Sequence, residues 1–217
     1  MTQKERQERS KEEICQAAME EFGTLGYDKV TMERICGNHG ISKGMMYHYY
    51  SSKDELFLLC VERTFVDLKA HVERDMEELG GQTFLDTVKN FFMIREYYFQ
   101  LHPKERMIFE EALLHPPKHL VAQIQELRGP IRELNRQFIR QIVKKAPLRP
   151  GVNPQMAARY LESVEYFFQS IMRNYQAGRT GTDLHTMFET AGEILDMVLF
   201  GIMFQSETGE QSPSARF

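Results

Sequence analysis

The chain has 217 residues, 42% of them hydrophobic, a formal net charge of −4 and three cysteines. That length suits one large domain or two small ones with ample core, and no apolar run approaches a bilayer span. A net acidic chain is not a bulk polyanion binder, and the charged start MTQKERQERSKEE does not read as a signal peptide, so a cytoplasmic location is the expectation.

Helical spacing recurs nearly everywhere and β-alternation is absent, which predicts an all-α fold of about nine helices. The first helix carries Ile14, Ala17, Ala18 and Phe22 on one face, with Gly23 and Gly26 read as breakers at its end. Thr31 caps a second helix whose Met32, Ile35 and Cys36 point inward. Gly40 supplies the positive φ of a tight turn, and Ile41 plugs its corner. Ser42 caps the third helix, where Met46 and Tyr50 sit one turn apart on the core side.

Ser52-Lys53-Asp54-Glu55 forms a capping box that opens the fourth helix, which runs toward Met76 before Leu79-Gly80-Gly81 breaks the pattern. Phe84 to Phe99 traces the fifth helix, closed by His102-Pro103, and Met107 to Leu114 a short sixth. The seventh runs from Lys118 to Ala146, and its apolar stripe keeps phase across Gly129-Pro130, which predicts a kink. Asn153-Pro154 opens the eighth, to about Tyr175, and Gly178 to Gly181 separates it from a ninth, Asp183 to Phe204. The polar tail, residues 206–217, is expected to be disordered. Cys15, Cys36 and Cys60 match no zinc spacing and fall where a helix needs a small apolar residue, so packing is their expected role. The implied division is a helix-turn-helix unit, residues 1–53, and a longer helical region, residues 54–205.

The chemistry concentrates in TMERICGNHGISKGMMYHYYSSK, Thr31 to Lys53. Bases and acids balance up to Lys53, so the acidic excess lies downstream, and from Arg34 to Lys53 there are three bases and no acid. Two short helices around a tight turn, the second rich in phosphate-binding groups, suit a recognition helix in a major groove. Lys43 reaches a base edge or a phosphate, and Gly44 lets the backbone approach DNA closely. Tyr47, His48 and Tyr49 suit phosphate clamping, which sets register without reading sequence. Lys53 stands at a helix N-terminus that already favours an anion. Against this, Thr31 and Ser42 would cap any helix, and Tyr50 and Met46 belong to the core.

Here the chain resembles the TetR/AcrR family of bacterial transcription regulators. The resemblance rests on Ile14-x-x-Ala17-Ala18-x-x-x-Phe22, Gly26-Tyr27, Val30-Thr31-Met32, Ile35, Gly40-Ile41-Ser42-Lys43-Gly44, Tyr47-His48-Tyr49-Tyr50 and Lys53-x-x-Leu56. It implies that Thr31 and Tyr47 contact phosphates and that Lys43 and Gly44 face bases. His48 and Tyr49 would lie along the DNA backbone, with Lys53 anchoring a phosphate. Met45 stands where the family usually has Thr, so an apolar touch on a thymine methyl replaces a phosphate contact. Cys36 replaces the usual Ala.

The resemblance also implies an inducer pocket and a homodimer. Thirteen methionines and an aromatic-rich back half offer adaptable apolar surface. Phe92, Arg95, Tyr98, Phe99, Phe109, Phe138 and Tyr166 are candidate ligand contacts, although aromatics at helical spacing are more often core. The eighth and ninth helices look like half of a four-helix dimer interface, which would set two recognition helices about 34–36 Å apart on an operator. No metal site, cofactor motif or catalytic fingerprint appears, so neither a metal nor a cofactor nor enzyme activity is expected. The reading is a regulator, most simply a repressor, released from a palindromic operator by a small apolar or aromatic inducer. The alternative is a helical small-molecule-binding or protein-adaptor protein with weakened DNA binding.

Overall fold

The computed structural model describes residues 2–79, 83–163 and 184–203. A small head comprises α1 (Gln3–Leu25), α2 (Met32–His39) and α3 (Lys43–Tyr49). The helix α4 (Lys53–Asp75) leads out of it into a 3-10 turn, Met76–Leu79. Then come α5 (Phe84–Leu101), α6 (Pro103–Leu114), a 3-10 turn at Lys118–Leu120, α7 (Val121–Leu127) and α8 (Gly129–Ile142). The described part of α9 spans residues 154–163, and α10 is Leu184–Ile202. Among the described residues the only β pairing is an isolated bridge, Leu148 with Met203, which pins the loop after α8 to the end of α10. No described helix is long and apolar enough to cross a membrane.

Short polar side chains set the helix starts. Thr2 and Glu5 form a reciprocal capping box on α1, so the basic opening residues are ordinary exposed first turns of that helix. Thr31, Ser42 and Ser52 accept from the N–H groups of Arg34, Met45 and Glu55 at 3.1, 3.1 and 3.2 Å. Gly40 closes α2 at φ 66°, ψ 21°, the left-handed conformation that the turn requires.

The head and the rest of the chain share one core. Ile14, Phe22, Ile35, Met46 and Phe57 pack under the head, and Leu68, Phe91, Phe99, Ile108 and Phe138 continue it beyond α4. The three cysteines are free and buried, and burial raises the thiols of Cys15 and Cys60, which suits a packing role.

Three expectations change. Gly23 is not a breaker: it lies inside α1, and only Gly26 ends the helix, at φ 75°. A Cβ on Gly23 would sit 2.6 Å from Lys104 Cβ and 2.9 Å from its Cα, so the glycine lets α6 press directly onto α1. The sixth helix begins at Pro103 and not at Met107, because a proline at the first helical position starts a helix as readily as it ends the one before. The seventh helix divides at Arg128 into α7 and α8, since Pro130 has no N–H for the Glu126 carbonyl. The Gly80-Gly81 break, the end of the eighth predicted helix, Gly178 to Gly181 and the tail 206–217 lie outside the described residues.

Candidate DNA interface

The α2–turn–α3 unit is held against α1 by a buried carboxylate. Glu21 accepts from Arg34 Nε at 2.6 Å and from Asn38 Nδ2 at 2.7 Å, and His39 Nε2 lies 3.3 Å away. Burial pushes this carboxyl up, but the bonds from Asn38 and Arg34 outweigh it and hold it below its ordinary range. Arg34 is thereby paired with an acid while its side chain stays 47% exposed, so Lys43 and Lys53 carry most of the basic character of the stretch.

Helix α3 buries Met46 against the head, and Tyr50, just past its end, is buried too. The opposite face is open: Ser42, Lys43, Gly44, Tyr47 and His48 are exposed, as is Thr31 before α2. Nothing lies within 4 Å of a Cβ placed on Gly44, so another backbone can approach there. Met45 is half-buried against the head core, leaving only part of its side chain at the surface. Tyr49 is also half-buried, its ring 4.7 Å from that of His48 and 5.8 Å below Lys11 Nζ.

Three acids make contacts that the sequence did not single out. Tyr47 Oη donates to Glu33 Oε1 at 3.2 Å, which places a carboxylate beside the exposed face of α3. Lys53 Nζ donates to the Tyr27 carbonyl at 3.1 Å and lies 4.0 Å above the Tyr27 ring. The Tyr27 hydroxyl in turn donates to Asp54 Oδ1, and its backbone N–H donates to Glu111 Oε2 at 3.1 Å. That hydroxyl is the main reason that Asp54 is held below the usual carboxylate range. Proximity in sequence to Lys53 was the one available signal for Asp54, whereas Glu111 and His119, whose Nε2 lies 2.8 Å from Asp54 Oδ2, carry none.

The candidate ligand residues lie elsewhere. Tyr98, Phe99, Phe109 and Phe138 are buried, and the rings of Phe138 and Phe91 stack at 3.6 Å. Arg95, 6% exposed, donates to the Phe91 carbonyl and to Asn135 Oδ1, both at 2.5 Å. Phe92 is half-buried beside it, and Tyr166 lies outside the described residues. None of these residues lines the open cleft of about 460 Å³ between α4 and α7, whose walls are Tyr50, Glu55, Leu58, Leu59, Glu62, Gln123, Glu126 and Leu127.

The pattern described as bacterial regulatory proteins of the tetR family matches residues 14–60, which span the second half of α1, the turn unit and the start of α4. UidR of Escherichia coli (strain K12), an HTH-type transcriptional regulator, is 26% identical over 154 residues, covering 70% of this chain and 76% of its own. The fatty acid degradation regulator FadR from Bacillus halodurans superposes with a TM-score of 0.61 at 13% identity, over 86% of this chain and 94% of its own. FadR from Bacillus subtilis, solved in complex with stearoyl-CoA, gives 0.60 at 13% identity over 88% and 98%. At such identities the two structures speak to the fold.

Proposed function

We propose that this chain is a regulator of the TetR type, a homodimeric repressor that binds a palindromic operator in the cytoplasm. The observation that carries this is the exposed face of α3, where Lys43, Gly44, Tyr47 and His48 stand clear of the core. Lys43 and Gly44 meet base edges, and Thr31, Ser42, Tyr47, His48 and Tyr49 lie along the phosphates. Lys53 anchors a phosphate beside the start of α4. The exposed part of Met45 touches a thymine methyl, where a hydroxyl would have held a phosphate.

Residues 1–53 are the DNA-binding unit, and residues 54–205 bind inducer and pair the subunits. The proposed dimer face joins α9 and α10, which expose Tyr160, Met197 and Phe200; Met197 and Phe200 are 67% and 55% exposed. Large apolar side chains left uncovered in this way favour a second copy. A small apolar or aromatic ligand acts from the α5–α9 region, where Phe92, Arg95, Tyr98, Phe99, Phe109, Phe138 and Tyr166 are its candidate contacts. The stearoyl-CoA bound by the Bacillus subtilis FadR shares only the apolar part of that description, in its acyl chain. Ligand that relieves repression binds the DNA-free state more tightly, and DNA weakens ligand binding by the same factor.

The test is selection of duplexes from random-sequence DNA with the full chain, followed by titration of the best duplex across salt concentrations. A palindromic winner whose affinity falls steeply with salt is expected, as release of counterions from several phosphates requires. No enriched duplex, or salt-independent binding, would sink the reading.

A further inference from the structure

We propose that His119, on the 3-10 turn between α6 and α7, is a positioning residue for DNA binding: it holds Asp54 and Tyr27 so that Tyr27 seats the Lys53 ammonium beside the recognition helix. The proposal rests on the DNA-binding reading above and adds to it the point at which the rest of the protein grips the phosphate anchor.

The Asp54 carboxylate is shared between two donors. Oδ1 takes the Tyr27 hydroxyl, and Oδ2 lies 2.8 Å from His119 Nε2. A carboxylate only accepts, so that ring nitrogen carries the hydrogen. The Tyr27 and His119 rings lie with centroids 6.4 Å apart and planes tilted by 60°. Tyr27 is used on every side: N–H to Glu111, carbonyl to Lys53, ring under Lys53 Nζ and edge-on to Phe57, and hydroxyl to Asp54.

The consequence for Lys53 is specific. Of its three N–H donors one goes to the Tyr27 carbonyl, and the Tyr27 ring lies 4.0 Å from the ammonium, so a phosphate would compete only for the donors that remain. An unheld lysine has much rotamer freedom to lose on binding, and here the Tyr27 ring and carbonyl have already removed part of it. If His119 lets go, Asp54 is free to rotate, the Tyr27 hydroxyl loses its fixed acceptor, and the seat of Lys53 loosens. Leu120, 3% exposed, anchors the turn in the core, so a rearrangement between α6 and α7 is passed to His119 directly. Because His119 itself is largely exposed, replacing it leaves the core untouched.

The experiment compares the full-length wild type, His119→Leu and His119→Gln on the best selected duplex, and measures hydrogen exchange of the segment 24–31 in the free proteins. His119→Leu should weaken binding about fivefold, the equivalent of one hydrogen bond, without changing the salt slope, because Lys53 still meets its phosphate. His119→Gln, which can still donate, should restore affinity to within about twofold. Exchange in segment 24–31 should rise in the leucine variant and return in the glutamine variant. Wild-type affinity in His119→Leu, an equally poor His119→Gln, or unchanged exchange overturns the proposal. If no duplex binds even the wild type, the DNA-binding reading fails, and the exchange data still decide whether His119 holds the Tyr27 elbow.

Discussion

Tyr47 donates its hydroxyl to Glu33, so the residue assigned to an operator phosphate is held by a carboxylate of its own chain. Its own backbone N–H first, then the Tyr47 hydroxyl, keep the Glu33 carboxyl below its ordinary range, with Lys43 adding to the effect. The acid occupies the region where a phosphate would draw the same donors, and it must be displaced or neutralised when DNA arrives. Glu33→Gln should therefore tighten operator binding, roughly twofold or more at low salt, with the gain shrinking as salt screens it. Fluorescence anisotropy at two salt concentrations reads this directly. Weaker binding by the glutamine variant would mean that Glu33 orients Tyr47 and does not compete with DNA.

Lys53→Ala should weaken binding to all duplexes alike and lower the slope of log affinity against log salt by about one, the signature of a lost phosphate contact. Met45→Thr should instead alter which sequences are preferred. A parallel random-sequence selection separates the two outcomes, and identical preferences for Met45→Thr would remove Met45 from the base-facing set.

Gly23→Ala should destabilise the fold by about 1–3 kcal/mol, because the new methyl meets the backbone of Lys104 and neither helix can give way cheaply. Gly37→Ala is the control. Nothing lies within 4 Å of its added methyl, so in the interior of α2 it should be neutral or stabilising by roughly 0.5–1 kcal/mol. Urea midpoints of the two variants should move in opposite directions or by clearly different amounts.

Acid should loosen the head. Glu21 and Asp54 are both held below their ordinary range in the folded protein, so each stabilises it when ionised. That contribution is fully present above the unfolded-state values near about pH 4 and is lost as pH falls through the lower folded-state values. Glu21→Gln should cost about 2 kcal/mol at neutral pH and make the fall in stability below about pH 5 shallower. An acid transition identical to that of the wild type would show that Glu21 does not carry it.

The parts of the molecule legible in the sequence are those in which cause and effect are a few residues apart. Thr31, Ser42 and Ser52 cap helices with their own side chains, Gly40 supplies one left-handed residue, and Met46 and Tyr50 turn inward because they follow the helical repeat. What stayed hidden depends on partners far along the chain. Gly23 looks like a terminator until Lys104 is brought against it, and nothing beside Arg34 in the sequence points to Glu21, thirteen residues earlier, as its partner. The pairing of Asp54 with His119 has no local trace at all. Periodicity placed Phe99, Phe109 and Phe138 inward, but it is blind to whether inward space is filled or left open.

The length of α4 gives the regulator a mechanical advantage. Its 23 residues form one uninterrupted rod of about 34 Å, with the recognition head at one end and the 3-10 turn at the other. Pivoting that rod by about 3° around Asp75 carries Lys53 through roughly 2 Å. In the proposed symmetric dimer the two displacements would add to about 4 Å, more than one base-pair step out of a half-site spacing of about 34 Å. A ligand-induced adjustment smaller than a bond length near the pivot is therefore magnified into a mismatch that a DNA duplex cannot follow without bending or twisting.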